Sequence, residues 1–357
     1  MVEWKKLGKC LDYEQPTPYL VKSTKYDDSY DTPVLTAGQS LILGYTNEKN
    51  GIYRASKEKP CIIFDDFTTS FHWIDFDFKI KSSAIKILRP RKGVNFRYVY
   101  YSMLGINYIP SEHQRHWISK YSQFEIPIPI DSEQQRIVSI LDTFTSSIDN
   151  LKQQIEQRKK QYECYRDNLL DLEGKDGVEM KALGMVAKRN KGIPITAGQM
   201  SELNSPNGNI RVFAAGQTKA DIDEALLPLN CAHRRPSVII KSRGFVDFEY
   251  YDKPFTHKNE LWSYSSEDKV LIRYIYYFLS TKVDFFRRKA KANSVKLPQL
   301  CVADTDDYYI PIPKVSEQQN IVSILDTFEE SIRNLEEQLE LREKQYEYYR
   351  NKLLTFE

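Results

Sequence analysis

The chain has no run of 18 apolar residues, which excludes a membrane-spanning helix of ordinary length. Its first residues lack the basic, apolar and small-residue order of a secretory signal, so a cytoplasmic protein is expected. Cysteine is scarce and scattered. Cys10, Cys61, Cys164, Cys231 and Cys301 are odd in number and include no CxxC pair, which fits reduced thiols rather than a disulfide framework. The five histidines form no cluster with cysteines or carboxylates, so a structural metal is not expected. Glycine-based phosphate cradles are also missing: there is no GxxxxGKS/T loop, and no glycine fingerprint follows a strand at dinucleotide-binding spacing. No two prolines are adjacent, which excludes an Asn-Pro-Pro-Tyr-type amino-methyltransferase centre.

An excess of one charge is lacking too, since the formal net charge is only +2. That balance conceals a pattern. Counting Lys and Arg against Asp and Glu gives +3 for residues 1–131, −1 for 132–172, +4 for 173–313 and −4 for 314–357. Two basic segments alternate with two acidic ones, and the basic segments suit an anionic partner.

What the chain does have is a long internal repeat. Residues 126–170 read IPIPIDSEQQRIVSILDTFTSSIDNLKQQIEQRKKQYECYRDNLL, and residues 310–354 echo them with 31 of 45 positions identical at a constant offset of 184. In each copy IPIP blocks a helix, after which Ser132 or Ser316 is expected to cap one. Behind the cap, Ile137, Leu141, Phe144, Ile148, Leu151, Ile155, Arg158, Tyr162, Tyr165 and Leu169 alternate gaps of four and three. The second copy gives Ile321, Leu325, Phe328, Ile332, Leu335, Leu339, Arg342, Tyr346, Tyr349 and Leu353. A heptad seam of this length is the signature of a coiled coil, and the arginine at the matching place in both seams is expected to fix register. Residues 132–170 as a helix would span ~58 Å at 1.5 Å per residue.

The segments between the helices repeat more loosely. Each opens on Leu-Gly (Lys5–Gly8, Lys181–Gly184), passes an Ala-Gly-Gln turn, and continues through strand, turn and strand: CIIFDDFTTSFHWIDFDFKI in the first, SVIIKSRGFVDFEYY in the second. Arg97-Tyr-Val-Tyr-Tyr101 then matches Arg273-Tyr-Ile-Tyr-Tyr277, and a polar loop precedes IPIP. The chain therefore reads as an α+β duplication: a β-rich domain at 1–131, a helix at 132–172, a second domain at 173–313 and a second helix at 314–357. The simplest path pairs the two helices antiparallel with pseudo-two-fold symmetry.

Two chemistries remain to be weighed. Asp65 or Asp66 followed by Asp77 and Lys79 resembles the carboxylate-and-lysine pattern of Mg²⁺-dependent nucleases. The alternative for those residues is a hairpin with solvated acidic positions, and the second domain does not reproduce the pattern. Polar loops suit nucleic acid better, because they combine phosphate-seeking cations with side chains that read base edges. The first domain offers Lys22, Ser23, Thr24 and Lys25; Thr68, Thr69 and Ser70; and His113, Gln114, Arg115 and His116. The second offers Lys241, Ser242 and Arg243; His257, Lys258 and Asn259; and the loop bearing Arg287, Arg288, Lys289, Lys291, Asn293 and Lys296. A scaffold whose domains bind peptides is a weaker reading, which the basic domains disfavour.

The duplicated IPIP-xx-SEQQ-x-IVSILDTF segments with their long helices, and the two domains opening on Leu-Gly, closely resemble the specificity (S) subunit of type I restriction–modification enzymes over the full length. The resemblance implies two target-recognition domains, each reading one half of a bipartite site in double-stranded DNA. It implies that the helices set the spacing of the half-sites and dock two methyltransferase (M) subunits, with translocase-nuclease (R) subunits joining them. It also implies no active site and no cofactor in this chain: S-adenosylmethionine, ATP and Mg²⁺ would belong to the other subunits. No base-contacting residue carries over from a motif.

Overall fold

The computed structural model describes residues 2–36, 38, 41–110, 114–294 and 296–356. The chain divides into two compact units, Met1–Lys152 with Glu337–Glu357 and Gln153–Glu336. Each unit holds one β-rich domain and a part of both long helices.

The first domain opens with β1 (Glu3–Lys6), the single turn α1 (Leu7–Cys10) and β2 (Leu11–Glu14). β3 (Thr32–Leu35) and β4 (Ile42–Thr46) form one hairpin, and β5 (Cys61–Asp65) and β6 (Phe71–Ile74) form the next. β7 (Lys79–Ile80), β8 (Ile85–Pro90) and α2 (Phe96–Leu104) follow. The strands make one sheet in the order β2-β8-β5-β6 and another in the order β4-β3-β7. Period-two alternation divides the continuous apolar run of β5 between two cores. Cys61 and Ile63 enter one with Phe78 and Ile80. Ile62 and Phe64 enter the other with Val99 and Met103 of α2. A strand buried on both faces needs such an unbroken apolar run. The IPIP segment is a strand, β9 (Glu125–Ile128), antiparallel to β1 with Trp4 opposite Pro127. Proline is tolerated there because a two-stranded ribbon leaves an edge free of ladder bonds. The chain then enters α3 (Asp131–Leu170).

The second domain repeats this plan with β10 (Glu179–Ala182), α4 (Leu183–Val186), β11 (Lys188–Lys191), α5 (Ala197–Leu203), β12 (Ile210–Phe213), β13 (Lys219–Ile222), β14 (Ser237–Lys241), β15 (Asp247–Tyr251), β16 (Phe255–His257) and β17 (Trp262–Ser265). α6 (Lys269–Thr281), α7 (Val283–Asn293) and α8 (Ala303–Asp306) lead to β18 (Tyr309–Ile312), then α9 (Val315–Leu354). The sheets are β11-β17-β14-β15 and β13-β12-β16, and β18 pairs with β10 as β9 does with β1. Two elements depart from the sequence reading. The expected polar loop 287–296 is mostly α7, whose Phe286 and Ala290 enter the domain core and hold the helix in place. Ser132 and Ser316 are not caps, since the helices begin one residue earlier, at Asp131 and Val315. Gln134 and Gln318 bridge the starts instead, each Nε2 donating to a proline carbonyl, Pro129 and Pro313, at 2.8 Å.

Within each unit the two long helices run antiparallel. In the first unit Phe144 stacks on Tyr349 at 5.4 Å, and Lys152 pairs with Glu343 at 3.0 Å. In the second, Lys159 pairs with Glu336 at 2.7 Å and Tyr165 meets Phe328 at 5.2 Å. The α+β duplication with two long antiparallel helices is therefore as the repeat implied.

Candidate nucleic-acid interface

Each domain is fastened to a long helix by the same side chains. In the first unit Arg97 of α2 lies over Trp73, Tyr100 and Tyr101 at 4.6, 5.2 and 4.9 Å, and its Nε donates to Asp142 Oδ1 of α3 at 2.7 Å. Tyr101 donates to the same carboxylate, and Tyr98 donates to the Pro127 carbonyl of β9 at 2.8 Å. In the second unit Arg273 lies over Tyr250, Tyr276 and Tyr277 at 4.4, 5.3 and 4.8 Å and donates to Asp326 at 2.7 Å. Tyr277 donates to Asp326 at 2.6 Å, and Tyr274 to the Pro311 carbonyl at 2.7 Å. Burial alone would lower the pKa of either guanidinium, but the carboxylates and surrounding rings raise both. Burial pushes the Tyr98 hydroxyl up to about 12, so it stays a donor. The second junction has one more partner: Glu329 accepts from Arg273 and from Tyr162 of α3, whereas its counterpart at the 184 offset is Thr145.

The seam residues line this junction and the helix pair. Ile137 and Leu141 pack with Tyr98 and Tyr101, and with Tyr346 and Leu353, in the first unit. Ile321 and Leu325 join the second domain's core, against which Tyr162 and Leu169 pack. Ile148 and Ile155 are buried, and Leu151, Ile332, Leu335 and Leu339 are half-buried. Tyr165 and Tyr349 are exposed though they sit on aromatic partners. The two seam arginines are not lone polar residues: Arg158 lies over Phe328 and Arg342 over Phe144, each at 5.7 Å.

The structure sorts the loop residues proposed for DNA. In the first domain Lys22, Ser23, Thr24 and Lys25 are exposed, on a segment held by Glu48 Oε1, which accepts from the Lys22 and Ser23 amides at 2.9 and 2.8 Å. Thr68 and Arg115 are exposed, and Ser70 and Gln114 are half-buried. Thr69 is buried in a left-handed turn (φ 60°) that Asp65 organises by accepting the Phe67 and Thr68 amides. His116 is wholly buried, with Tyr108 at 3.0 Å from its Nδ1, so it faces no ligand. His113 lies outside the described residues, as do Ala37 and Gln39 of the Ala-Gly-Gln turn.

In the second domain three of the nominated residues are structural. Lys241 is buried and paired with Glu249 at 2.7 Å, Ser242 is buried, and His257 is buried on Ser263 at 3.2 Å. Burial, with His233 beside it, lowers the His257 pKa to about 3, so it carries no positive charge for a phosphate at neutral pH. Arg287 donates to the Val246 carbonyl and covers Phe245 at 4.2 Å. Lys258 pairs with Glu260, Lys289 with Asp304, and Asn293 donates to Asp304. Asn259 is exposed. Arg243, Arg288, Lys291 and Lys296 are exposed and in no ion pair among the described residues. Backbone bonds bring the loop of Arg243 to the end of α7: Gly244 N donates to Pro298 O, Leu300 N to Ser242 O, and Gln299 N to Ala290 O. The result is a basic surface on one helix and the loop beside it.

The acidic pattern that resembled a nuclease is taken apart. Asp65 caps its turn; Asp66 is buried against Lys86 at 3.4 Å and accepts the Trp117 amide. Asp77 pairs with Arg54, and Lys79 is buried on Glu48 at 3.1 Å. Each group has a structural partner of its own.

Sequence reasoning missed the junction as a working unit. Its signal was present: RYxYY persists in domains that otherwise drift, and Asp142 and Asp326 sit in the identical LDTF of the two helices.

Two unlike domains on like helices, joined by like junctions, with exposed cations on the loops of both and a basic surface on the second, define a modular protein for recognising polyanions. The sequence model of the type I restriction modification DNA specificity domain matches residues 1–159 and again 175–342. The chain belongs to this family: it is a specificity subunit of a type I restriction–modification system, with two target-recognition domains. It is 38% identical to the EcoR124I/EcoR124II specificity subunit of Escherichia coli over 99% of this chain and 94% of that one. A putative type I specificity subunit of Haemophilus influenzae is 26% identical over 99% and 96% of the two chains. The fold is similar to the crystal structure of a type I system S subunit from M. genitalium, with a TM-score of 0.72 at 14% identity, covering 100% of this chain and 97% of that one.

Proposed function

We propose that each domain reads one half of a bipartite site in double-stranded DNA, and that the helices set the gap between the halves. The segments are 1–131 and 173–313 for recognition, 132–172 and 314–357 for spacing. The helices are the docking surface for two methyltransferase subunits, and translocase-nuclease subunits complete the enzyme in the cytoplasm. In this reading the chain recognises and does not catalyse; S-adenosylmethionine, ATP and Mg²⁺ act in the partners. The observation that carries it is the contrast between parts. The helices and junctions are closely alike in both halves, as two equivalent partner sites require, while the exposed polar loops differ, as two different half-sites require. Native mass spectrometry of the chain with its methyltransferase subunit is expected to saturate at two copies per chain; saturation at one contradicts the docking scheme.

Arg243, Arg288, Lys291 and Lys296 are the contacts proposed for the second domain, and Lys22, Lys25 and Arg115 for the first. In the methyltransferase complex, Lys291→Ala is expected to weaken all DNA sequences alike and to reduce the salt dependence by about one released ion. Arg243→Ala, if it meets a base, weakens binding by ~1–3 kcal/mol and relaxes one position. Salt-titrated binding separates these outcomes, and unchanged binding in both variants removes this surface from the interface.

A further inference from the structure

The duplicated helices have diverged in sign at the positions that face each other. Lys152 pairs with Glu343 in the first unit and Lys159 with Glu336 in the second, at 3.0 and 2.7 Å. Shifted by the 184-residue offset, Lys152 corresponds to Glu336 and Lys159 to Glu343. Both lysines therefore lie on α3 and both glutamates on α9. The within-helix pair Glu156–Lys160 of α3 keeps its signs as Glu340–Lys344 of α9, and a within-helix pair that does change, Glu133–Arg136, loses its cation to Asn320 without reversing sign. The other sign change, Asp149 against Arg333, forms no ion pair among the described residues.

We propose that these four side chains are a pairing code that selects α9 as the partner of α3 and rejects the helices of a second copy of the chain. The apolar seams cannot make that choice, because the two copies are nearly the same there and a seam that fits α9 also fits another α3. An α3 paired with a second α3 in the same register sets Lys152 against Lys159, twice. An α9 paired with a second α9 sets Glu336 against Glu343, twice. Flanking charges choose coiled-coil partners in this manner, by repulsion in the wrong pair as well as attraction in the right one. The four side chains are about half exposed, so their influence is screened by salt.

Two variants of the full chain with the same composition and net charge test the code. Lys159→Glu with Glu336→Lys inverts one cross-helix pair and leaves both attractive. Lys159→Glu with Glu343→Lys makes both cross-helix pairs repulsive; pairing with a second copy becomes attractive in both variants, so they differ only in the pairs made within the chain. In low salt the second variant is expected to melt about 2–4 °C below the first, with the gap closing in 1 M NaCl. Light scattering is expected to show a dimer that grows with concentration in the second variant only. Coincident melting curves in low salt, or the same oligomeric state in both variants, would overturn the proposal.

Discussion

Replacing Arg273 with alanine is expected to destabilise the second unit by about 2–3 kcal/mol, more than Arg97→Ala destabilises the first. Breaking a buried ion pair by removing one partner costs about 3–5 kcal/mol, and the half-exposed Asp326 reduces that figure. The loss is not electrostatic alone. Arg273 fills the space between Tyr250, Tyr276 and Tyr277, and its removal leaves Asp326 and Glu329 without their cation. Tyr162 of α3 also loses the carboxylate orientation it shares through Glu329. Arg97 has one carboxylate partner, Asp142, and Thr145 stands where the second unit has Glu329. About 1–2 kcal/mol is expected there. Lysine does not restore either site, because the stacking and the two-sided donation need a planar guanidinium. Thermal unfolding measures the effect, and hydrogen exchange of α6 assigns it to the junction. Equal losses in the two variants, or recovery by Arg273→Lys, contradict this account of the junction.

Adding one heptad to each long helix, after Gln154 and after the equivalent Gln338, is expected to widen the methylated motif while leaving its two halves unchanged. Seven residues lengthen a helix by ~10.5 Å, which corresponds to ~3 base pairs at ~3.4 Å per base along a strand. A whole heptad in both copies preserves the seam, so the helices still pair. The structure also shows why the insertion belongs in mid-helix. A residue added after Leu170 falls between Leu170 and Leu172, both in the core of the second domain, and would disturb that domain rather than the spacer. Methylome sequencing reads the outcome directly. A changed half-site at constant spacing sinks the idea that the helices set the gap.

The sequence made the repeated elements legible for a physical reason. A heptad seam and a helix-blocking IPIP are local patterns, and their duplication presented each twice. The strands of the domain cores were legible in the same way, through β-branched and aromatic runs such as CIIFD and SVIIK. What was not legible depended on partners that only the folded chain brings alongside. Lys241, Ser242 and His257 look like ligand-seeking residues, yet Glu249, the Glu260 carbonyl and Ser263 satisfy them within the fold. His116 was likewise read as a loop residue, although Tyr108 and the backbone of Asp66 hold it inside. α7 was read as a loop because Arg-Arg-Lys-Ala-Lys carries little apolar pattern; Phe286 and Ala290 anchor it only once the core beneath them exists. The sign inversion between α3 and α9 was readable in the sequence, but its meaning needed the register in which Lys152 meets Glu343.

The most direct test of the account is the methylome of a host carrying this chain with its methyltransferase subunits, compared with that of a chimera in which residues 1–125 come from another family member. The account predicts a bipartite motif in the first host, and in the second a motif with one half replaced, the other half retained and the gap unchanged. A chimera in which both halves change, or a motif that is not bipartite, would contradict independent reading by two domains.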